Sequence, residues 1–232
     1  VYFISKIRRC NYYNTNMRKL ITVISLVFAV SVLTGVLAAL ASDTTEFSQS
    51  ITGSLDVQIV DASGNTVTSP GVAFPSKAFS MTYQASAATL GTSSERMRIT
   101  NPSGTTDTWT LNIAATSGAT AAWSNGTNYY DYNDSTASAG DGVDTDSYGG
   151  QMTIDPSVGT IAGVGGTATT NVSKGTSDAF VEGSVSSIDL MTAAAGAPKP
   201  GQWDLTGTSL SQTIPGAQTT GSYTLNMTLT AT

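Results

Sequence analysis

Short runs with an apolar residue at every second position, each ended by a Gly-, Pro- or Asn-rich turn, dominate the chain after residue 52. Leu55, Val57 and Ile59 alternate with Ser54, Asp56, Gln58 and Val60, and the pattern returns at Phe79, Met81, Tyr83 and at Met97, Ile99. It is cleanest at Trp109, Leu111, Ile113, at Trp203, Leu205, and at Tyr223, Leu225, Met227, Leu229. Successive residues of a strand point to opposite faces, so this spacing buries one face and leaves the Thr, Asn and Ser face in water. Turn clusters at 61–65, 101–104 and 214–216 separate the runs. The expected fold is all-β: a single antiparallel β-sandwich or barrel over residues 53–232, with long Gly/Asp/Ser-rich loops, preceded by a hydrophobic signal helix. Helix after Ala41 is limited to one or two turns at Met191–Ala197, stopped by Pro198. Residues 117–150 and 159–175 show little alternation and read as excursions from the one domain.

The N-terminus reads as an address. Leu20 to Ala41 has no charge, follows Met17-Arg18-Lys19, and ends in Ala39-Leu40-Ala41. A basic start, an apolar stretch and a small-x-small end make a secretory signal peptide over residues 17–41. Residues 1–16 then form an upstream extension before a start at Met17, and residues 42–52 a flexible lead. An uncleaved anchor is the alternative, since these 22 residues would span about 33 Å as a helix. The membrane is expected to be met only through this segment. Cys10 precedes it, so the secreted part is expected to lack cysteine and to be held by its core without disulfides.

Charge divides at the same place. From Ser42 onward there are five basic and sixteen acidic residues, a net charge of −11. A module that neutralises nucleic-acid phosphates needs the opposite sign, so no nucleic-acid partner is expected. The absence of histidine excludes Ser-His-Asp and Cys-His triads and His-ligated zinc. No G-x-S-x-G, P-loop or G-x-G-x-x-G motif is present, and no enzyme is expected.

Several residues in order resemble the WxL-domain family of bacterial cell-wall surface proteins. Gly53-Ser-Leu-Asp-Val-Gln-Ile59 is similar to the family's opening strand, followed by an aromatic at Phe74. Arg98-Ile-Thr-Asn-Pro102 precedes Thr108-Trp109-Thr110-Leu111, which fits the W-x-L element. Gln202-Trp203, Gln212-Thr-Ile-Pro215 and Gly221-Ser-Tyr223 lead to a last strand that has no Trp where the family's second W-x-L would fall. The resemblance implies an extracellular β-sandwich that sits non-covalently on the cell wall by binding peptidoglycan. The missing Trp weakens the binding implication more than the fold. No LPxTG-like tail is seen, so covalent attachment is not expected.

Two groups of residues are candidate sites. Trp109, Trp123 and Trp203 could contact wall or other surface sugars, because aromatic faces stack on sugar CH groups. Trp109 and Trp203 each begin an apolar i, i+2 series and are expected in the core, whereas Trp123 lies in the irregular stretch and is the better surface contact. Asp131, Asn133 and Asp134, followed by Asp141, Asp144 and Asp146 among glycines, form an acidic excursion. Ca²⁺ takes about 6–8 oxygen ligands of these kinds, so the excursion either holds calcium or is a solvated polar loop. The functional expectation is a cell-envelope protein bound to peptidoglycan or another surface glycan. The alternatives are a self-associating surface-layer or fibre subunit and a calcium-dependent carbohydrate-binding adhesin.

Overall fold

The computed structural model describes residues 48–51, 53–134 and 149–232. The chain divides into two compact units, Val1–Ile51 and Thr52–Thr232, and the sheets belong to the second. The predicted upstream extension and signal peptide lie outside the described residues, among which no helix is long and apolar enough to cross a membrane.

The fold is all-β and antiparallel, as the alternation predicts. One sheet has the order β1 (Asp56–Val60), β3 (Arg96–Asn101), β13 (Gly201–Thr206), β9 (Thr160–Gly163). A second runs β11 (Asp178–Ala179), β8 (Gly150–Asp155), β14 (Thr208–Ile214), β2 (Gln84–Leu90), with β7 (Asn133–Asp134) on β8. The third is β10 (Val172–Lys174), β12 (Ser187–Ala193), β4 (Trp109–Ala115), β15 (Met227–Ala231). A two-stranded hairpin, β5 (Trp123–Ser124) and β6 (Tyr129–Tyr130), stands apart from them.

The first two sheets are one sheet bent at a corner. β2 leads into β3, β8 into β9 and β13 into β14, and the neighbour order on one side of the bend repeats on the other. The last pairings before and after the bend are Leu205 with Met97 and Thr208 with Leu90. At the bend Gly91 and Gly207 have φ of +79° and +76°, a region open to glycine at little cost. Gly207 donates its amide to the Gly91 carbonyl at 2.6 Å. A Cβ on Gly91 would lie 2.9 Å from the Leu205 carbonyl oxygen, so the two strands cross too closely for any side chain there. The third crossing strand turns through Pro156–Val158, started by Asp155, whose Oδ1 accepts the Ser157 amide at 3.0 Å.

Inward positions build one apolar core. On β4 the burial alternates, with Trp109, Leu111, Ile113 and Ala115 inside. Trp203, Met97, Ile99, Leu190, Ile154 and Phe180 complete its centre. A bulge between Asp189 and Met191 lets two consecutive residues, Leu190 and Met191, both point inward. Trp109 and Trp203 pack on each other at 5.2 Å between ring centroids, and Trp203 Nε1 donates to the Ala168 carbonyl at 2.9 Å.

The outer face of the bent sheet carries a buried charge. Asp204 is 3% exposed and accepts a two-pronged contact from Arg98, Nε to Oδ1 at 2.7 Å and Nη2 to Oδ2 at 2.9 Å. Arg96 Nη1 lies 3.2 Å from the same Oδ2 and its Nη2 reaches the Asp61 carbonyl. The hydrogen bond to Asp204 raises the Arg98 pKa above its already high ordinary value.

Four local expectations are corrected. Phe79, Met81 and Tyr83 are not on a strand; Phe79 and Met81 are 57% and 74% exposed, and pairing begins at Gln84. Met191–Ala197 is not helical, since residues up to Ala193 belong to β12, where pairing with β4 overrides the helix preference of the alanines. Within residues 117–150, described through 134 and again from 149, the chain forms β5, β6, β7 and the start of β8. Residues 159–175 supply β9 and β10. β15 lies beside β4, with Leu229 opposite Ile113 and Met227 opposite Ala115.

Two substitutions test this account by chemical denaturation. Trp109→Ala should cost about 3–5 kcal/mol as a large-to-small change in the core; a cost near zero would place the ring outside it. Asp204→Ala should cost about 3–5 kcal/mol, because two guanidinium groups lose their partner on a mostly covered face. A loss below about 1 kcal/mol would show that Arg96 and Arg98 are solvated there.

Candidate functional site

Three features of the chain converge at one end of the bent sheet. The first is the β5–β6 hairpin, turned by Asn125-Gly126-Thr127-Asn128. Asn125 Oδ1 accepts the amides of Thr127 and Asn128 at 3.0 and 2.8 Å, and Gly126 has φ of +88°. That side-chain turn sets Trp123 opposite Tyr130. The second is the 218–223 turn before β15, tied to the hairpin by paired Ser124 and Thr224 amides at 3.0 and 2.9 Å. The third is the extended segment Val72–Ser80. Ser86 Oγ holds its Pro75 carbonyl at 3.2 Å, Gln84 Nε2 its Ala78 carbonyl at 2.8 Å, and the Ala217 amide its Ser80 carbonyl at 2.7 Å.

Between them lies a cleft of about 390 Å³, within the size of small-ligand sites, about 300–1,000 Å³. Its aromatic lining is continuous. Trp123 stacks on Tyr130 at 5.8 Å with planes 10° apart, meets Phe74 edge-on at 5.5 Å, and Tyr130 meets Tyr223 at 5.1 Å. Phe79, on the rim, is more than half exposed. Amides lock the rings in place. Trp123 Nε1 donates to Gln212 Oε1 at 3.0 Å, while Gln212 Nε2 donates to the carbonyls of Asp131 and Thr213 at 3.0 and 2.8 Å. Gln218 Nε2 donates to the Tyr223 hydroxyl at 2.8 Å, which itself donates to the Thr219 carbonyl at 2.7 Å. Val72, Phe74 and Trp123 also wall a second, apolar cavity of about 210 Å³ that reaches Leu90, Ile113 and Met152 in the core.

The predicted sugar contacts separate. Trp109 and Trp203 are 3% and 0% exposed, so burial removes them from any surface contact, in line with their place in the alternation. Trp123 does line the cleft, but as a half-buried wall already stacked on Tyr130, not as an open platform. Sequence reasoning missed Phe79 and Tyr223 as cleft residues by giving both to strands, and gave no site role to Tyr130, Gln212 or Gln218. A usable signal was the pair of aromatics at 129–130 just past an Asn-Gly turn.

Of the six predicted calcium ligands, Asp141, Asp144 and Asp146 lie outside the described residues. Asp131, Asn133 and Asp134 are described and are buried, at 0%, 4% and 7% exposure. Asn133 and Asp134 pair with Gln151 and Gly150 on β8, and Asn133 Nδ2 is committed to the Ala119 carbonyl at 2.9 Å. These three are therefore buried within the fold and not presented to solvent. Among the described residues no group of three or more acidic or other metal-ligating side chains converges.

Among the described residues, the cleft lining contains no carboxylate. What it offers chemically is apolar stacking with a polar, hydrogen-bonding rim, a surface for holding a ring that has CH faces and hydroxyl edges. Compared with protein-family models, curated proteins and solved structures, the chain matches none.

Burial raises the pKa of Tyr130 well above its ordinary value, with Tyr223 adding to the effect, and raises that of Tyr132 beside Asp131. Both favour the neutral phenol when folded, so their contribution is complete below the unfolded pKa of about 10 and is lost as pH rises past it. In an alkaline titration, the absorbance change of these two phenols should accompany unfolding. Ionisation of all tyrosines at about pH 10 with the fold intact would show that the cleft wall is open to water.

Proposed function

We propose that this protein is exported to the bacterial cell envelope, where it holds peptidoglycan or another surface glycan non-covalently in the aromatic cleft. The observation that carries this reading is the cleft itself: Phe79, Trp123, Tyr130 and Tyr223 stand around one opening, Trp123 and Tyr223 are held by glutamine amides, and no carboxylate lies among the described lining residues. Sugar rings present CH faces to aromatic rings and hydroxyls to the polar rim, so both halves of the lining have a partner. The signal-like segment at 17–41 and the WxL-like order of motifs support an address at the wall. In this reading Trp109 and Leu111 of the W-x-L element are core residues of β4 and not ligand contacts. The rings that touch sugar come instead from the Val72–Ser80 segment and the 218–223 turn.

The test is co-sedimentation of the secreted protein with purified bacterial cell walls. Binding should saturate, and Phe79→Ala combined with Tyr223→Ala should weaken it about tenfold, ~1.4 kcal/mol, without lowering the melting temperature by more than a few degrees. Failure to bind walls, or equal binding by the double variant, would overturn the assignment.

A second reading has its own observation. β15 closes the third sheet, and its sequence Met227-Thr-Leu-Thr-Ala231 carries no charge or proline, devices that usually protect an edge strand from pairing with another chain. Chains joined edge to edge through β15 would form a layer or fibre. Electron microscopy and sedimentation velocity of the concentrated protein should then show assemblies that Thr230→Lys disperses; a monomer at all concentrations would remove this reading.

A further inference from the structure

From Ser42 onward the chain has five cations, Lys77, Arg96, Arg98, Lys174 and Lys199, against sixteen acids. Four of the five are engaged. Arg96 and Arg98 hold Asp204. Lys174 Nζ donates to the carbonyls of Ser157 and Gly159. Lys199 lies 3.4 Å from Asp107 and donates to the Thr105 carbonyl at 3.0 Å; its charge and the Gly196 amide lower the Asp107 pKa. Lys77 is different. Among the described residues it makes no hydrogen bond or ion pair, and it is the one charged residue lining the aromatic cleft.

We infer that the glycan bound in this cleft is acidic, with its ring on the aromatic wall and an anionic substituent met by Lys77. This inference rests on the glycan reading and names the class of sugar. A neutral saccharide gains nothing from an ammonium group at the rim, and hydroxyl-bearing residues such as Ser76, Ser80 and Thr219 already supply hydrogen bonds there. An anionic ligand needs the lysine, because the net charge of −11 on residues 42–232 repels it from the rest of the surface. The residues flanking Lys77 are Pro75, Ser76, Ala78 and Phe79, so no neighbouring acid in sequence competes for the ammonium. Phe79, two positions on and more than half exposed, places an apolar face next to that charge, the combination that suits a sugar ring bearing one charged group. Lysine acts as a point charge and accepts either a carboxylate or a phosphate.

The experiment uses the secreted protein and three cell-wall preparations: untreated, with carboxylates amidated by carbodiimide, and with phosphate polymers stripped by hydrofluoric acid. The parent should bind untreated walls, and Lys77→Gln should weaken binding at least tenfold. Lys77→Arg should bind within a few-fold of the parent, and Lys199→Gln should leave binding unchanged, because it removes a charge away from the cleft. Raising salt from 50 mM to 0.5 M should weaken the parent more than the Lys77→Gln variant. Loss of binding to amidated walls identifies a carboxylate, and loss to stripped walls a phosphate; either result supports the inference. Equal binding by the parent and Lys77→Gln, or full binding to both treated preparations, overturns it while leaving the cleft a neutral-glycan site. Failure of the parent to bind untreated walls overturns the glycan reading and this inference with it.

Discussion

The fold turns on the contact between Gly207 and Gly91. At that point three strands pass from one sheet to the next, and the 2.6 Å bond from the Gly207 amide to the Gly91 carbonyl lets the backbone ladder survive the bend. Because the strands continue around the corner, the side chains of β13 and β14 are in fixed phase with each other. Trp203 and Leu205 before the bend, and Leu210 and Gln212 after it, all point inward. The core and the cleft are therefore set by the same strand. Leu210 is a core residue, and two positions later Gln212 holds the Trp123 indole and the Asp131 carbonyl at once.

That link explains how a polar side chain can be 1% exposed next to an aromatic wall without penalty. A buried amide is costly only when its groups lack partners. Gln212 uses its oxygen on the indole and both amide hydrogens on backbone carbonyls, so it joins the β5–β6 hairpin to the main sheet. The hairpin has only two residues per strand and no sheet of its own to lean on. Its position comes from this amide and from the Ser124–Thr224 pairing. The aromatic wall is built from short elements held by hydrogen bonds that strand propensity does not encode.

The same distinction separates what was legible in the sequence from what was not. Trp109, Leu111, Ile113 and Trp203, Leu205 were readable because each is a run of large residues in a strand with one wet face. β2 was missed because its sequence, Gln-Ala-Ser-Ala-Ala-Thr-Leu, alternates in burial but barely in size; alanine gives a weak hydrophobic signal on either face. The strand was assigned one step too early, to Phe79, Met81 and Tyr83. Three aromatic or apolar residues at period two read as a buried face, yet the chain just before them is held along the cleft rim by hydrogen bonds from Gln84 and Ser86 to the Ala78 and Pro75 carbonyls, and the three large side chains lie outside. Two-residue strands such as β5 and β6 leave no period to detect. For the acidic excursion, the sequence showed the density of oxygens but not that Asp131, Asn133 and Asp134 lie beneath the surface.

The distribution of charge follows from the same architecture. With no histidine, and with its single cysteine at position 10, the domain has neither disulfides nor histidine-ligated metal available to hold it. Its few cations are placed where the fold needs them. Arg98 and Arg96 surround Asp204 on the outer face of the bent sheet. Lys174 fastens the Pro156–Gly159 turn, the third crossing of the corner. Lys199 closes the loop before β13 against Asp107. Each of these joins segments distant in sequence, as a cross-link would. Among the described residues Lys77 joins nothing in this way, and it stands on the segment that borders the cleft. In a chain this poor in positive charge, a lysine with no partner among the described residues, at the edge of an aromatic opening, is free to meet charge from outside the molecule.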